Sequence, residues 1–300
     1  MRQLQLLIAL DEHKSLHKAS SVMAMTQSAA SKSLAELEAM LEAPLFERTK
    51  TGLVANDFGR TVLRYARVLA SDVASLCEEI GQVRSGTGGH LSIGVIMGAI
   101  PGLVAPVVSE MHEQFPNLAI ELIEDTSARL LAQLDDGHLD LVVGRASVSS
   151  QPEKYRYQAI DDEPLRVVAG PSNPLGKRKR LDIGALADYR WVTYPATMPL
   201  RALLERELDL AGLPPPRAPI STASTFVTVA LLQRSPTLVS MLPSDVASMF
   251  AQHGMLTTLP IELKSKSQTI GVVTRAQGNL SKAAQSFVKL LRAQARDATT

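Results

Sequence analysis

Between Leu16 and Arg48 the chain reads LHKASSVMAMTQSAASKSLAELEAMLEAPLFER, and few folds accommodate that stretch. Ser15 is placed to cap a short helix whose inward positions are Leu16, Ala19, Ser20 and Met23. The small pair Ala19-Ser20 allows a neighbouring helix to approach closely. A turn at Ala24-Met25 follows. Thr26 then suits the N-cap of a second helix, because its hydroxyl accepts an otherwise unpaired backbone N–H. Ala30, Leu34, Leu37 and Leu41 recur at three- and four-residue spacing and predict one buried stripe. Gln27, Ser28, Ser31 and Lys32 are left on the opposite, exposed face at the helix start. Leu4, Leu7, Ile8 and Asp11 mark an amphipathic helix before this pair. Pro44 is expected to end the second helix, and LFERTKTGLVAN reads as a hairpin with its tip at 49–52.

The residue types on that face suggest a chemistry. Gln and Ser read base edges, and Lys reaches phosphate or guanine. Lys32 sits near the positive end of the helix dipole, whereas Glu36, Glu38 and Glu42 come later. A first turn without carboxylates suits an approaching polyanion. Arg48 and Lys50 on the hairpin would lie against a nucleic-acid backbone. An ordinary solvated helix with a serine-rich first turn has the same composition, and the hairpin directly after it favours a winged helix. The formal net charge of the 300 residues is only +1, so any nucleic-acid binding must come from such a local patch. The single Cys77 excludes a disulfide framework and a cysteine zinc site, and the six histidines show no metal-ligand spacing. The N-terminal apolar run is short and followed by acids, and no run approaches the roughly 20 residues that span a bilayer. A cytoplasmic protein without membrane contact is expected.

Asn56 or Asp57 is placed to cap a long helix running to the glycine cluster at 86–89. Phe58, Val62, Tyr65, Leu69, Val73, Leu76, Ile80 and Val83 form its apolar stripe. Such a stripe, sustained this long, predicts pairing with a second copy of the same helix. A two-fold dimer carries two reading helices and implies a roughly palindromic double-stranded DNA site. From His90 onward strands alternate with helices: LSIGVI, LAIELI, LDLVVG, LRVVAG, WVTY, TLVSML, MLTTLPI and TIGVVTR are the principal strands. This predicts a parallel, doubly wound α/β region in two lobes, the last strand and helix returning to the first. The predicted organisation is a winged helix-turn-helix at 1–57, a dimerisation helix at 58–88 and an α/β domain at 89–300. Lobe I would hold 89–161 and 267–300, and lobe II 162–266.

Taken together, these motifs resemble the LysR-type bacterial transcriptional regulators from end to end. The resemblance rests on SLHKASSVMAMTQSAASKSLAELEAMLEAPLFERTKTGLVANDFG, FPNLAIELIEDTSARLLAQLDDGHLDLVVGR, DEPLRVVAGPSNPL and IGVVTR. It implies a DNA-binding winged helix-turn-helix, pairing through the linker helix, a homotetramer, and contact with RNA polymerase. It also implies an effector domain like a periplasmic solute-binding protein, with a small-molecule inducer between its lobes. Two departures bear on the operator sequence. Ser28 stands where the family usually has proline, and Ala19-Ser20 where it usually has two alanines.

Ligands of open α/β sheets bind beyond the carboxyl ends of the strands. Those ends are Met97-Gly98-Ala99, Thr126-Ser127 and Arg145 in the first lobe, and Pro195-Ala196-Thr197 and Ser224-Thr225 in the second. They align with the positions where the family holds its effectors. Two helix N-termini suit an anion, and Arg145 offers a bidentate partner. Thr197 and Ser224 would equally serve as N-caps, and Arg145 as half of a structural salt bridge. Organic acids, aromatics and sugars are the effector classes considered; no cofactor is expected. No GxSxG elbow, Walker A loop or HExxH is present, and the glycine cluster precedes a strand, unlike a Rossmann loop. A solute-binding receptor, or an α/β enzyme with a DNA-binding appendage, are the competing readings.

Overall fold

In a computed structural model, residues 1–49, 52–85, 89–265 and 269–297 are described. Helix α1 (Arg2–His13) buries Leu6, Leu7, Ala9 and Leu10. Its partly buried Asp11 accepts from Arg67 at 2.6 Å. Helix α2 (Leu16–Val22) is capped by the Ser15 side chain, which accepts from the Lys18 N–H, and it buries Ala19 and Ser20. Helix α3 (Gln27–Met40) is capped by Thr26, whose hydroxyl accepts from the Ala29 N–H at 3.2 Å. Ala30 and Leu37 are buried there and Leu34 packs against both small cores, but Leu41 is 43% exposed. The helix stops at Met40, before Pro44. Glu42 turns left-handed (φ +52°), and the Glu38 carboxylate accepts from the Leu45 N–H at 2.7 Å.

Strands β1 (Phe46–Thr49) and β2 (Gly52–Ala55) pair antiparallel, with Phe46 opposite Ala55 and Arg48 opposite Leu53. Gly52 has φ +118°, and a Cβ there would lie 2.3 Å from the Lys14 carbonyl oxygen, so the hairpin docks on the end of α1 only with glycine. Lys50 and the hairpin tip lie outside the described residues. Helix α4 (Asp57–Ser85) follows, capped by Asn56, whose side-chain oxygen accepts from the Gly59 N–H at 2.9 Å. Leu63 packs in a core with Leu7, Leu37, Leu45 and Ala55, while Phe58, Tyr65, Leu69, Val73, Leu76 and Ile80 are exposed. The Val83 side chain and the residues 86–88 fall outside the description. These elements belong to one compact unit, Met1–Leu91 with Asn117–Ala119 and Ala132–Asp140. Asp136 in that unit is the second acid on Arg67, at 3.1 Å.

The other unit comprises Ser92–Pro116, Ile120–Leu131 and Leu141–Thr300. Along the chain α4 is followed by β3 (His90–Val95), which crosses from the first unit into this one, a 3-10 turn at Met97–Ala99 and a π turn at Ile100–Val104, then α5 (Ala105–Gln114). Next come β4 (Ala119–Glu124), α6 (Ser127–Asp135), β5 (Leu141–Gly144) and β6 (Tyr155–Asp161). Strand β5 is buried on both faces, which explains its unbroken LVVG. The second sheet is built from β7 (Leu165–Ala169), β8 (Arg190–Thr193), β9 (Ile220–Ser221), β10 (Leu238–Pro243) and β11 (Thr257–Thr258). Its helices are α7 (Pro199–Leu210), α8 (Thr225–Arg234) and α9 (Ser244–Gln252). The chain then supplies β12 (Ile270–Arg275) and α10 (Lys282–Asp297), whose Ala284, Phe287, Leu291 and Ala295 form a buried helical stripe.

Among the described residues the order of one sheet is β4-β3-β5-β12-β6 and of the other β11-β7-β10-β8-β9. Each is mixed. The pairs β3–β5, β10–β8 and β8–β9 are parallel, as expected, but β12 runs antiparallel to both β5 and β6, and β7 antiparallel to β10 and β11. The antiparallel members arise where the chain leaves one sheet for the other and returns. Strand β6, which the sequence did not suggest, pairs along β12 from Tyr155 to Asp161. Its YRYQAID is polar because its burial is only partial. The second sheet has cores on both faces, one around Trp191 and Met241 and one around Val192 and Leu242.

Candidate functional site

The first turn of α3 presents Gln27, Ser28, Ser31 and Lys32 together, all exposed, on the face opposite Ala30 and Leu37. Their spacing returns them to one side of a 3.6-residue helix. The Thr26 hydroxyl is shared between the Ala29 N–H and the Ser28 hydroxyl, 3.1 Å away, so Ser28 is tied into the cap. No acid lies in the first turn, and Lys32 stands 3.9 Å from Glu36 in a solvent-exposed pair that is weak in water. Arg48 is exposed on β1.

The α/β unit contains a cavity of about 670 Å³ at the carboxyl ends of its strands. Of the residues expected there, Met97, Gly98, Thr126, Ser127, Arg145, Thr197 and Ser224 line it. Ala99 is fully buried instead, and Pro195, Ala196 and Thr225 are outside the lining. Thr225 still reaches the site, since its hydroxyl contacts the Met97 sulfur. Thr197 does not cap α7: that position falls to Met198, which has no capping side chain, followed by Pro199. Ser224 does cap α8, accepting from the Val227 N–H at 3.3 Å. The buried Ser127 hydroxyl accepts from the Arg145 N–H at 3.2 Å.

The sequence reading missed the charge partners. Arg145 holds a close ion pair with Glu163, and the two side chains are 7% and 3% exposed. A Cβ on Gly98 would fall 1.8 Å from the Glu163 carboxylate, so glycine is what lets this acid sit in the cleft. Burial pushes the Glu163 carboxyl above its ordinary range, with Asp245 adding to the rise and Arg145 opposing it. Asp125 lies at the start of α6, accepts from the Thr126 N–H at 2.7 Å, and stands 3.6 Å from Arg129. Behind these, Tyr194 is buried with no hydrogen-bond partner for its hydroxyl among the described residues, and its pKa is raised by burial and by Glu163. Among the described residues no group of His, Cys, Asp and Glu is arranged to hold a metal, and no helix is long and apolar enough to cross a membrane.

Comparison with known proteins gives this geometry its context. Residues 1–60 match the family model "Bacterial regulatory helix-turn-helix protein, lysR family", and residues 84–296 match "LysR substrate binding domain". The HTH-type transcriptional regulator GbpR of Azospirillum brasilense is 32% identical, over 98% of this chain and 86% of that protein. PcaQ of Agrobacterium fabrum is 26% identical over 92% of this chain and 88% of its own. Full-length CbnR complexed with its target DNA has a TM-score of 0.68 at 19% identity, covering 98% of this chain and 99% of that one. These relatives are transcriptional regulators rather than enzymes. The chain belongs to the LysR-type transcriptional regulators, DNA-binding proteins that carry a small-molecule effector domain.

Proposed function

We propose that this regulator reads its promoter through Gln27, Ser28, Ser31 and Lys32, with Thr26 setting the helix start and Arg48 and Lys50 holding the flanking backbone. The observation that carries the reading is the exposed, acid-free first turn of α3, fixed by its Thr26 cap. The exposed stripe on α4 supports a homodimer, and hence a roughly palindromic site; a homotetramer and contact with RNA polymerase extend the same reading. We take 1–57 as the DNA-binding domain, 58–88 as the linker, and 89–300 as the effector domain, with lobes at 89–161 plus 267–300 and at 162–266. The inducer occupies the cleft lined by Met97, Thr126, Thr197 and Ser224, and the protein works in the cytoplasm.

A gel shift with the upstream region of its own gene, followed by footprinting, tests the DNA reading. Gln27→Ala or Ser31→Ala should relax sequence discrimination by about 1–3 kcal/mol per lost base contact. Lys50→Ala should weaken all DNA alike and flatten the salt slope by about one. No retarded fragment at moderate salt, or unchanged footprints and salt slopes in these variants, overturns the assignment. Thr197 is the cleaner cleft probe, because Ser127 and Ser224 also hold backbone groups. Thr197→Ala should lose inducer response and keep operator binding.

A further inference from the structure

Four consecutive cations, Lys177, Arg178, Lys179 and Arg180, stand exposed between β7 and β8 of the α/β unit. Solvated loops carry such runs too, but this one is fastened at both ends. Before it, the buried Asn173 side chain donates to the Pro236 carbonyl at 2.8 Å and accepts from the Leu175 N–H at 2.9 Å. A Cβ on Gly176 would fall 2.5 Å from the Thr257 side chain, so the turn lies directly against β11. After it, the Leu181 N–H donates to the Pro260 carbonyl at 3.1 Å, and Leu181 bridges Ile261. Leu175 and Leu181 both pack on the core around Trp191. The cations between these anchors stand on backbone that is already ordered, which lowers the entropy cost of engaging a partner.

Among the described residues none of the four forms an ion pair, and neither do the exposed Arg166 and Lys264. Arg166 and Lys264 line a groove of about 810 Å³ together with Lys179 and Arg180. That groove also carries Asp182, Glu207, Glu262 and the carboxyl end of α7 at Leu210 and Ala211. The acids and the negative end of the helix dipole oppose a small anion seated inside it. The run on its rim is different, because Lys177 and Arg178 lie outside the lining and face solvent. A protein partner would seek aromatic or aliphatic anchors, and protein interfaces are poor in lysine. The run offers no such anchor, and Leu210 is the one large exposed apolar side chain of the groove among the described residues. Interfaces with DNA are far more positive, and a phosphodiester backbone asks only for cations within reach.

We infer that the run 177–180 is a second DNA contact, a sequence-independent hold on duplex phosphates supplied by the α/β unit and flanked by Arg166 and Lys264. It rests on the DNA binding of the family and is independent of the effector cleft. Each phosphate neutralised releases condensed counterions, so the patch adds affinity that falls with salt and carries no base preference. No aromatic side chain lies in the run or lines the groove, so bases find nothing to stack on and the contact is to backbone alone. The chain's formal net charge of +1 supplies no general attraction for DNA, which makes a local cluster of this kind count.

The test uses the full chain and a promoter fragment that extends well beyond the footprint. One variant combines Arg178→Gln, Lys179→Gln and Arg180→Gln; a control combines Lys282→Gln, Lys289→Gln and Arg292→Gln, all exposed on α10. Each removes three positive charges and takes the formal net charge from +1 to −2, so the overall field changes alike. Both should keep the parent's melting temperature. The variant in the run should flatten the slope of log Kd against log salt by about two to three while keeping the parent's discrimination between promoter and scrambled DNA. The control should keep the parent's slope, as should Arg178→Lys with Arg180→Lys, which conserves charge. A slope unchanged by the variant in the run, or flattened equally by the control, overturns the inference and leaves the reading of α3 intact. A variant in the run that binds DNA as the parent does but no longer regulates transcription in vitro assigns these cations to an acidic protein partner, which also overturns it. If the parent retards no DNA, the inference falls together with the DNA reading.

Discussion

Arg145 and Glu163 decide how the cleft is charged, and each depends on the other. Arg145→Ala leaves a buried carboxylate without its counter-ion and should cost about 3–5 kcal/mol in a denaturant titration. Exchanging both residues for apolar ones of similar volume should cost far less. The pair also carries a pH signature. The Glu163 carboxyl is held above its ordinary 4.5, so the folded protein binds that proton more tightly than the unfolded chain. Its contribution to stability is complete below 4.5 and is lost as pH climbs through the raised value. The melting temperature of the parent relative to Glu163→Gln should therefore fall as pH rises across that window; a constant difference would show that Glu163 ionises as it does in water. In the sequence, Arg145 was legible as a strand-end cation, and a structural salt bridge was one of its two readings. Its partner was not legible, because Glu163 follows Asp161-Asp162 and the acidic run resembles a solvated turn. What distinguishes it is Gly98, a residue far away in the chain whose missing side chain makes the room.

At the scale of the element, α4 shows two apolar faces. Leu63 and Ala66 are buried in the N-terminal unit, whereas Tyr65, Leu69, Leu76 and Ile80 are about half exposed. Leu69→Asp or Leu76→Asp should lower the association state seen by sedimentation velocity while leaving the unfolding of the N-terminal unit unchanged. Leu63→Ala should instead cost about 2–5 kcal/mol of stability. Retained association in the aspartate variants would remove α4 from the interface. Three- and four-residue spacing gave the exposed positions from Phe58 to Ile80 but placed Val62 with them, although it packs against the inner core of Leu7 and Leu63, because on a helix with two apolar faces the patterns overlap. The end of α3 shows a similar limit. Proline marks a place a helix cannot cross, but α3 ends earlier, where the Glu38 carboxylate turns to the Leu45 N–H, a tertiary event without a local signal. Thr26, by contrast, was readable because capping is local, and Thr26→Ala should cost about 1 kcal/mol in the same titration.

For the molecule as a whole, alternation of strands and helices gave the two α/β sheets, and periodicity could not give their direction. Strand β12 lies between β5 and β6 and runs against both, so the first sheet is complete only when the chain has returned to it. A chain lacking residues 269–300 would expose the edges of β5 and β6 and lose the buried Phe287 of α10. It should accumulate as insoluble protein, and a soluble product with an unchanged melting transition would contradict the role given to β12. The same nesting sets a timetable. On the ribosome, β7 to β11 emerge as an uninterrupted run and are free to close their sheet early. The sheet begun first stays open until Ile270–Arg275 appears. The lobe opened first during synthesis is thus finished last, and a cleft between completed lobes exists only in a protein that has been made to its final strand.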